Sequence, residues 1–580
     1  MLTQQQSPLF RLPRELRDYI YEQYAHDDEG VFYDYASGKL SYANQSKHEE
    51  RKALIRSCKR AAEEMRGAVA RANTITFFPA RSDNDGITYN DLQSKAGRFE
   101  RLLQSARRMK VHILHHVAKA GCVTPAMVDQ VAARFPGIAF YYRQLYDCIK
   151  DGRLTRDSGG WGWPNDLPIQ DWEMRWQTSA TFCEAIQYTL ELASSHCMFD
   201  DIAAEASASP YWVSGMMPPF MPGSHKAVLG WKPDWWLIPT ETDLALETYL
   251  TDPFLPDEQN NLDFPEPVVP VAWYWSATAV AIDFLKALPR AQRMRLREPI
   301  VIREEMRGAA YPESHIRGLA PYLLENPKLR CELHVGFWTN LMDPVWLQSL
   351  TYDHSLDYGS ILNEQMLRPF VDFLDEIMSM PDTTVRNNAL RIYVEGRKDE
   401  SVAMWQLIKH VASLQEAMAR SDVMQAHQEI RLRDVIIEPH PRAPSSLATH
   451  ALEHRFLLPC SLPDSFHLGV RDITRGASLI HFDGDPGALW DSESEISARK
   501  AWTVEQFAKE WISKTMNICL RMPPGGVTAY MKMYELQAFW HGSQPWVWKS
   551  QDGKETLEYY PKDGSIRGNI LALYVGVDRG

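Results

Sequence analysis

The chain has 580 residues, of which 45% are hydrophobic and 24% charged, proportions that belong to folded protein and not to disorder. This length exceeds what one hydrophobic core organises, so roughly two to four structural units are expected. A net charge of −13 argues against neutralising a phosphate backbone, and nucleic acid is not an expected partner.

The first element is a helix opening at Leu12-Pro13. Pro13 suits the first helical position and Glu15 favours the positive end of the helix dipole. Leu12, Leu16, Ile20 and Tyr24 recur every fourth residue with Tyr19 beside them, while Arg14, Arg17 and Asp18 fall on the other face. Glycine and aromatic residues between His26 and Gln45 predict a short hairpin. A helix over 50–71 follows from the stripe Leu54, Cys58, Ala61, Ala62, Met65 and Val69, and Asn73 to Phe78 reads as a strand.

These residues carry a family likeness. The opening Leu-Pro-x-Glu-Leu-Arg-x-x-Ile-Tyr of residues 12–21, then Ser57-Cys58-Lys59-Arg60, Glu63-Glu64-Met65-Arg66 and Asn73-Thr74-Ile75-Thr76-Phe77, resembles the F-box-like proteins of filamentous fungi. Tyr274 to Leu288, Arg295 to Val301 and Glu325 to Arg330 resemble the middle of such proteins. The likeness implies an adaptor helix in which Leu12, Pro13, Leu16 and Ile20 fill a groove on a Skp1-like partner. It departs from an ordinary F-box where His26 to Glu49 separate the first two helices. The alternative is that the same stripe is covered internally by Leu54, Cys58, Met65 and Ile75.

Further along, Asp91 to Ala120, Pro125 to Ile149 and Trp172 to Cys197 have helical period. Eleven prolines between Pro210 and Pro270 forbid long helices there, and Trp212, Trp231, Trp235 and Trp236 predict an irregular layer packed on the protein. Beyond it, Glu298–Arg303, Glu332–Phe337, Ala389–Val394, Asp434–Glu438, Ser478–Phe482 and Asn569–Val575 read as strands between helices. Such alternation predicts a mixed, helix-rich α/β fold: an F-box-like unit over 1–80, a mainly helical region over 81–205, a Pro/Trp-rich layer over 206–275 and an α/β region over 276–580 with a β-rich cap. The entries Arg295-Leu296-Arg297, Ala389-Leu390-Arg391 and Arg431-Leu432-Arg433 raise a degenerate leucine-rich-like sheet as a variant, although their spacing is too irregular for a solenoid.

Eight cysteines without a Cys-x-x-Cys pair read as reduced thiols, and the polar opening Met1 to Gln6 lacks the pattern of a secretory signal. An intracellular protein, cytoplasmic or nuclear, is expected. The most apolar window, Val271 to Leu285, includes Asp283 and is shorter than the roughly 20 residues a bilayer needs; no membrane span is expected. His112, His115 and His116 share a helix face without an identifiable third ligand, and His481, Asp483 and Asp485 sit in a turn whose Asp-Gly and Asp-Pro pairs are turn chemistry first. Asp83 to Gly86 fails the calcium-loop template at Arg81, and Gly160-Trp161-Gly162 lacks its third glycine at Asn165. No catalytic residue, metal or cofactor is assigned. The expected function is a non-enzymatic interaction protein with an unknown protein partner; the alternative is small-molecule binding or catalysis within 90–580, for which the run Trp161, Trp163, Trp172 and Trp176 and the proline-rich layer would supply a pocket.

Overall fold

Alternation of apolar and polar side chains dictates the centre of the fold. In a computed structural model describing residues 7–42, 53–81, 94–135, 142, 179–208, 223–249, 274–341, 363–380, 389–396, 401–422, 462–515, 546–551 and 554–559, the strands are β1 (Val31–Asp34), β2 (Lys39–Tyr42), β3 (Ile75–Phe77), β4 (Ala80–Arg81), β5 (Tyr274–Trp275), β6 (Ile300–Glu304), β7 (Cys331–Gly336), β8 (Leu390–Glu395), β9 (Ile480–Phe482), β10 (Trp546–Gln551) and β11 (Lys554–Tyr559). Seven of them form one sheet in the order β2-β1-β3-β6-β7-β8-β9. Only the β1–β2 hairpin is antiparallel; every other neighbour in this sheet is parallel. The fold is mixed α/β and rich in helix, as the sequence predicts.

From β3 onward each strand of the sheet is added beside the one before it, while β2 lies on the far side of β1. Parallel crossovers are right-handed, and crossovers of one hand running in one direction bring their helices to one face. Among the described residues the other face is only half-covered, which explains the alternation. Ile300, Ile302, Glu304, Cys331, Leu333, Val335, Leu390, Ile392 and Val394 are buried, and the residues between them are half-exposed or exposed. A strand covered on both faces would be apolar throughout. The sheet is mostly parallel, with crossovers of unequal length and no regular repeat among the described residues.

The principal helices are α1 (Arg14–Ala25), α2 (Lys59–Glu64), α3 (Ala68–Ala72), α4 (Lys95–Lys119), α5 (Pro125–Arg134), α6 (Ser179–Ala193), α7 (Phe199–Ala208), α8 (Ala277–Ala287), α9 (Asn363–Met378), α10 (Val402–Ala419) and α11 (Asp464–Arg475). Helices α4 to α7 lie in the long connection between β3 and β6. Its ends are clasped where β4 pairs antiparallel with β5, Ala80 opposite Trp275. Phe99, Leu102, Ile113 and Val117 of α4 belong to the same core as Ile302, Leu333 and Ile392 of the sheet. Trp275, Trp338, Trp405 and Trp511 are fully buried, so part of the tryptophan content is core. A second, small core holds α1 against the helices that follow it, through Tyr21, Ala25, Met65 and Ala68.

The expected single helix over 50–71 is broken. Residues 53–57 are helical, Cys58 is extended and caps α2, and Gly67 adopts φ +74° between α2 and α3, a left-handed geometry that glycine takes readily. The expected strands at Asp434–Glu438 and Asn569–Val575 lie outside the described residues, as do Asp83 to Gly86, Gly160 to Asn165 and the tryptophans from Trp161 to Trp176. Among the described residues no helix is long and apolar enough to cross a membrane.

Candidate functional site

The polar face of α1 is the one that packs inward. Arg17, Tyr21 and Ala25 are buried, whereas Leu16, Tyr19 and Ile20 are 50%, 63% and 37% exposed. Pro13 is exposed and Leu12 half-buried. Leu54 and Met65 do not cover Leu16 or Ile20; they pack with Tyr21 and Ala25. Internal cover of the Leu-Pro stripe, one of the two readings of the sequence, is therefore not what the helix adopts.

The reason lies in Glu64. Its carboxylate accepts two bonds of 2.8 Å from Nε and Nη2 of Arg17, one of 2.9 Å from the Tyr21 hydroxyl and one of 2.9 Å from Nε of Arg60. A bidentate guanidinium–carboxylate pair is among the stronger hydrogen-bonded contacts. The bonds from Arg17 hold the Glu64 carboxyl down to about 2, and burial, together with Glu64, pushes the Tyr21 phenol up to about 12. Asn73 fixes the other end of α1 by donating 2.8 Å bonds to the carbonyls of Ala25 and Val69. Arg17 and Tyr21 are four residues apart and face Glu64; Leu16 and Ile20, also four apart, face out. The two blocks of the family-like motif interlock through this cluster.

A second surface is the half-exposed face of the sheet. Register places Arg303, His334, Tyr393 and His481 in one row across β6 to β9. The His334 and Tyr393 rings stack with centroids 4.7 Å apart, and Tyr393 and His481 at 5.3 Å, with interplanar angles of 21° and 26°. Glu395 orients one end of this row, accepting from Nη2 of Arg303 at 3.1 Å and lying 2.7 Å from Nδ1 of His334. The neighbouring row runs Thr76, Val301, Glu332 and Arg391. Stacked rings beside fixed charges make a platform with both apolar and polar contacts to offer. Sequence reading found these strands and missed the face; the signal was present in the alternation Ile-Val-Ile-Arg-Glu, Cys-Glu-Leu-His-Val and Leu-Arg-Ile-Tyr-Val-Glu.

Ser276, His315 and Glu304, side chains of types used in catalysis, are engaged in structural hydrogen bonds. The Ser276 hydroxyl lies 2.6 Å from Nδ1 of His315, but these residues are 0% and 1% exposed. That hydroxyl also caps α8 by accepting from the Ala279 amide, and Nε2 of His315 meets the Ala310 carbonyl at 2.7 Å. Burial lowers the His315 pKa to about 4. Glu304 accepts from the amides of Ala277 and Thr278 and from the Thr278 hydroxyl, at 3.1, 2.7 and 2.6 Å, and burial raises its carboxyl. A carboxylate at a helix N-terminus stabilises the helix. Ala310 and Tyr311 have φ of 67° and 56°, a strained geometry for residues with side chains, held by the bond from the Ala310 amide to Glu100 at 2.8 Å.

His112 packs its ring on His116 and bonds the Ala206 carbonyl at 3.0 Å, and burial lowers His112 to about 3 and His115 to about 4. Among the described residues no group of three His, Cys, Asp or Glu side chains is arranged to hold a metal ion. Asp485 accepts from the Gly487 amide at 2.9 Å, the turn chemistry of its sequence, while Asp483 accepts at 2.6 Å from the amide of Gly396, just past β8. The basic side of α4 is also engaged: Arg98 pairs with Glu247 at 2.8 Å and Glu241 at 3.0 Å. Set against known proteins, the chain matches no protein-family model, no curated protein and no solved structure.

Proposed function

We propose that this chain is a non-enzymatic interaction protein, an F-box-like adaptor whose N-terminal unit engages a Skp1-like partner while the sheet presents a surface to a client protein. The observation that carries the reading is the outward stripe of Leu16, Tyr19 and Ile20 on a helix whose other face is pinned by Glu64. Large apolar side chains set side by side on one surface mark contact sites, and helices dock into grooves through side chains spaced three or four residues apart. Covering the exposed parts of these side chains would contribute roughly 1 kcal/mol each, enough to bias an interface that also engages Leu12 and Pro13. The stacked row of His334, Tyr393 and His481 supports a separate client surface.

The test is a pull-down with a purified Skp1-like adaptor, comparing wild type with Leu16→Asp. The substitution lies on the exposed side of α1, so the variant is expected to melt at the wild-type temperature. Capture of wild type and loss of the variant is the expected result. Capture of neither, with both folded, removes the adaptor reading.

A further inference from the structure

The long connection between β3 and β6 contains a cleft of about 280 Å³ between α4, α6 and the segment Trp231–Trp236, close to the lower end of the roughly 300–1,000 Å³ of small-molecule sites. Its walls are aromatic, with Trp231, Trp235 and Trp236 on one side and Phe135 and Tyr188 on another. Lys110 lines it. This lysine is 9% exposed and donates one bond of 2.8 Å to the Trp231 carbonyl; among the described residues no carboxylate lies within ion-pair reach of its ammonium. An ammonium has three donors, and one held inside the protein without an opposite charge is costly. The carboxylates nearby are already taken. Glu191 pairs with Lys232 at 2.6 Å, and Glu184 accepts from Arg317 and from the Trp235 indole, each at 3.0 Å. Asp234 is exposed at the rim, while the Arg134 guanidinium lies 4.3 Å from the centre of the Tyr188 ring. The lining thus carries four cationic side chains, Lys110 inside with Arg107, Arg134 and Lys232, against the three carboxylates Glu184, Glu191 and Asp234, between faces suited to stacking.

We infer that this cleft is a binding site for a small planar aromatic carboxylate, its ring between the tryptophans and Tyr188 and its carboxylate on Lys110. A single interior ammonium matches one negative charge, and the aromatic walls favour a flat apolar body over an inorganic anion. Burial lowers the Lys110 pKa to about 8, so the amine is mostly charged at neutral pH and affinity should fall as pH rises through that value.

Titration calorimetry on the full chain at pH 7, with 1-naphthoate and indole-3-acetate as probes and 1-naphthamide as the uncharged control, tests the assignment. The acids should bind at least tenfold more tightly than the amide. Lys110→Met should abolish that preference without lowering the melting temperature, and Trp235→Leu should weaken acid and amide alike. Failure of both acids to bind at millimolar concentration overturns the inference. So does equal binding of naphthoate and naphthamide by wild type, a comparison that needs no variant to fold.

Discussion

Replacing Glu64 by glutamine removes the charge that decides which face of α1 is buried. The carboxylate receives two bonds from Arg17, one from Tyr21 and one from Arg60; glutamine offers a single acceptor oxygen and turns an amide N–H₂ toward a guanidinium. Removing one partner of a buried ion pair costs roughly 3–5 kcal/mol. Here the Arg14 and Arg60 side chains of the cluster are 44% and 34% exposed, and solvent relieves part of the cost, which sets the expectation at about 2–3 kcal/mol. That is a large share of a domain stability of roughly 5–15 kcal/mol. The small core around Tyr21, Ala25, Met65 and Ala68 is separate from the main one, so the loss should be local: amide exchange across 14–25 should speed up by roughly 30- to 150-fold while the β6–β8 strands keep wild-type protection.

The same residue predicts a pH signature. The folded Glu64 pKa is lowered to about 2 from an unfolded value of about 4.3, so its contribution is present above about 4.3 and lost as pH falls toward 2. Urea unfolding followed by fluorescence, with exchange mass spectrometry on residues 14–25, should show that acid loss in wild type and not in Glu64→Gln. A change under about 0.5 kcal/mol with unaltered exchange in α1 would refute the pinning argument.

Three further outcomes follow from the interior. His315 and His115, lowered to about 4, and His112, lowered to about 3, stay neutral in the fold while the unfolded chain takes protons near 6.5; stability present above that value should be lost as pH falls, by up to about 1.4 kcal/mol per pH unit for each histidine, and a urea midpoint that is flat from pH 7 to 5 would contradict this. Gly308→Ala would set a Cβ 2.5 Å from the Ser276 amide nitrogen, backbone that cannot swing aside, so a cost of about 1–3 kcal/mol is expected in thermal melts; a variant as stable as wild type would show that the turn can shift. Trp405→Ala empties a fully buried site where the indole stacks on Phe482 at 4.4 Å and should cost about 3–5 kcal/mol, with a loss below 1 kcal/mol contradicting close packing there.

What the sequence could yield follows from the range of the forces involved. The hairpin within His26–Gln45, the strand within Asn73–Phe78 and the strands β6 to β9 are set by local alternation and turn residues, and each is found within about two residues of its expected place. The orientation of α1 was not legible from α1 alone. Periodicity marks Leu12, Leu16, Ile20 and Tyr24 as the apolar side, but an ion pair between Arg17 and Glu64, 47 residues apart, outweighs it. The helix break at Gly67 was equally hidden, because a glycine inside a helical stripe takes φ > 0 only when tertiary contacts reward it. Nothing in the helical period of Asp91 to Ala120 singles out Lys110, and only the packing of Trp231 over α4 makes it interior. The row of His334, Tyr393 and His481 depends on strand register, which no single segment encodes.

The central claim, that the outward stripe of α1 is a docking surface and not merely uncovered, is tested most directly by measuring the affinity of a purified Skp1-like adaptor for wild type and for the double variant Leu16→Asp/Ile20→Asp. Both side chains are exposed, so the melting temperature should not move. Losing two apolar contacts of roughly 1 kcal/mol each and burying carboxylates in their place should weaken binding by at least 100-fold. Equal affinity of the two proteins, or no heat of binding from either, would contradict the account.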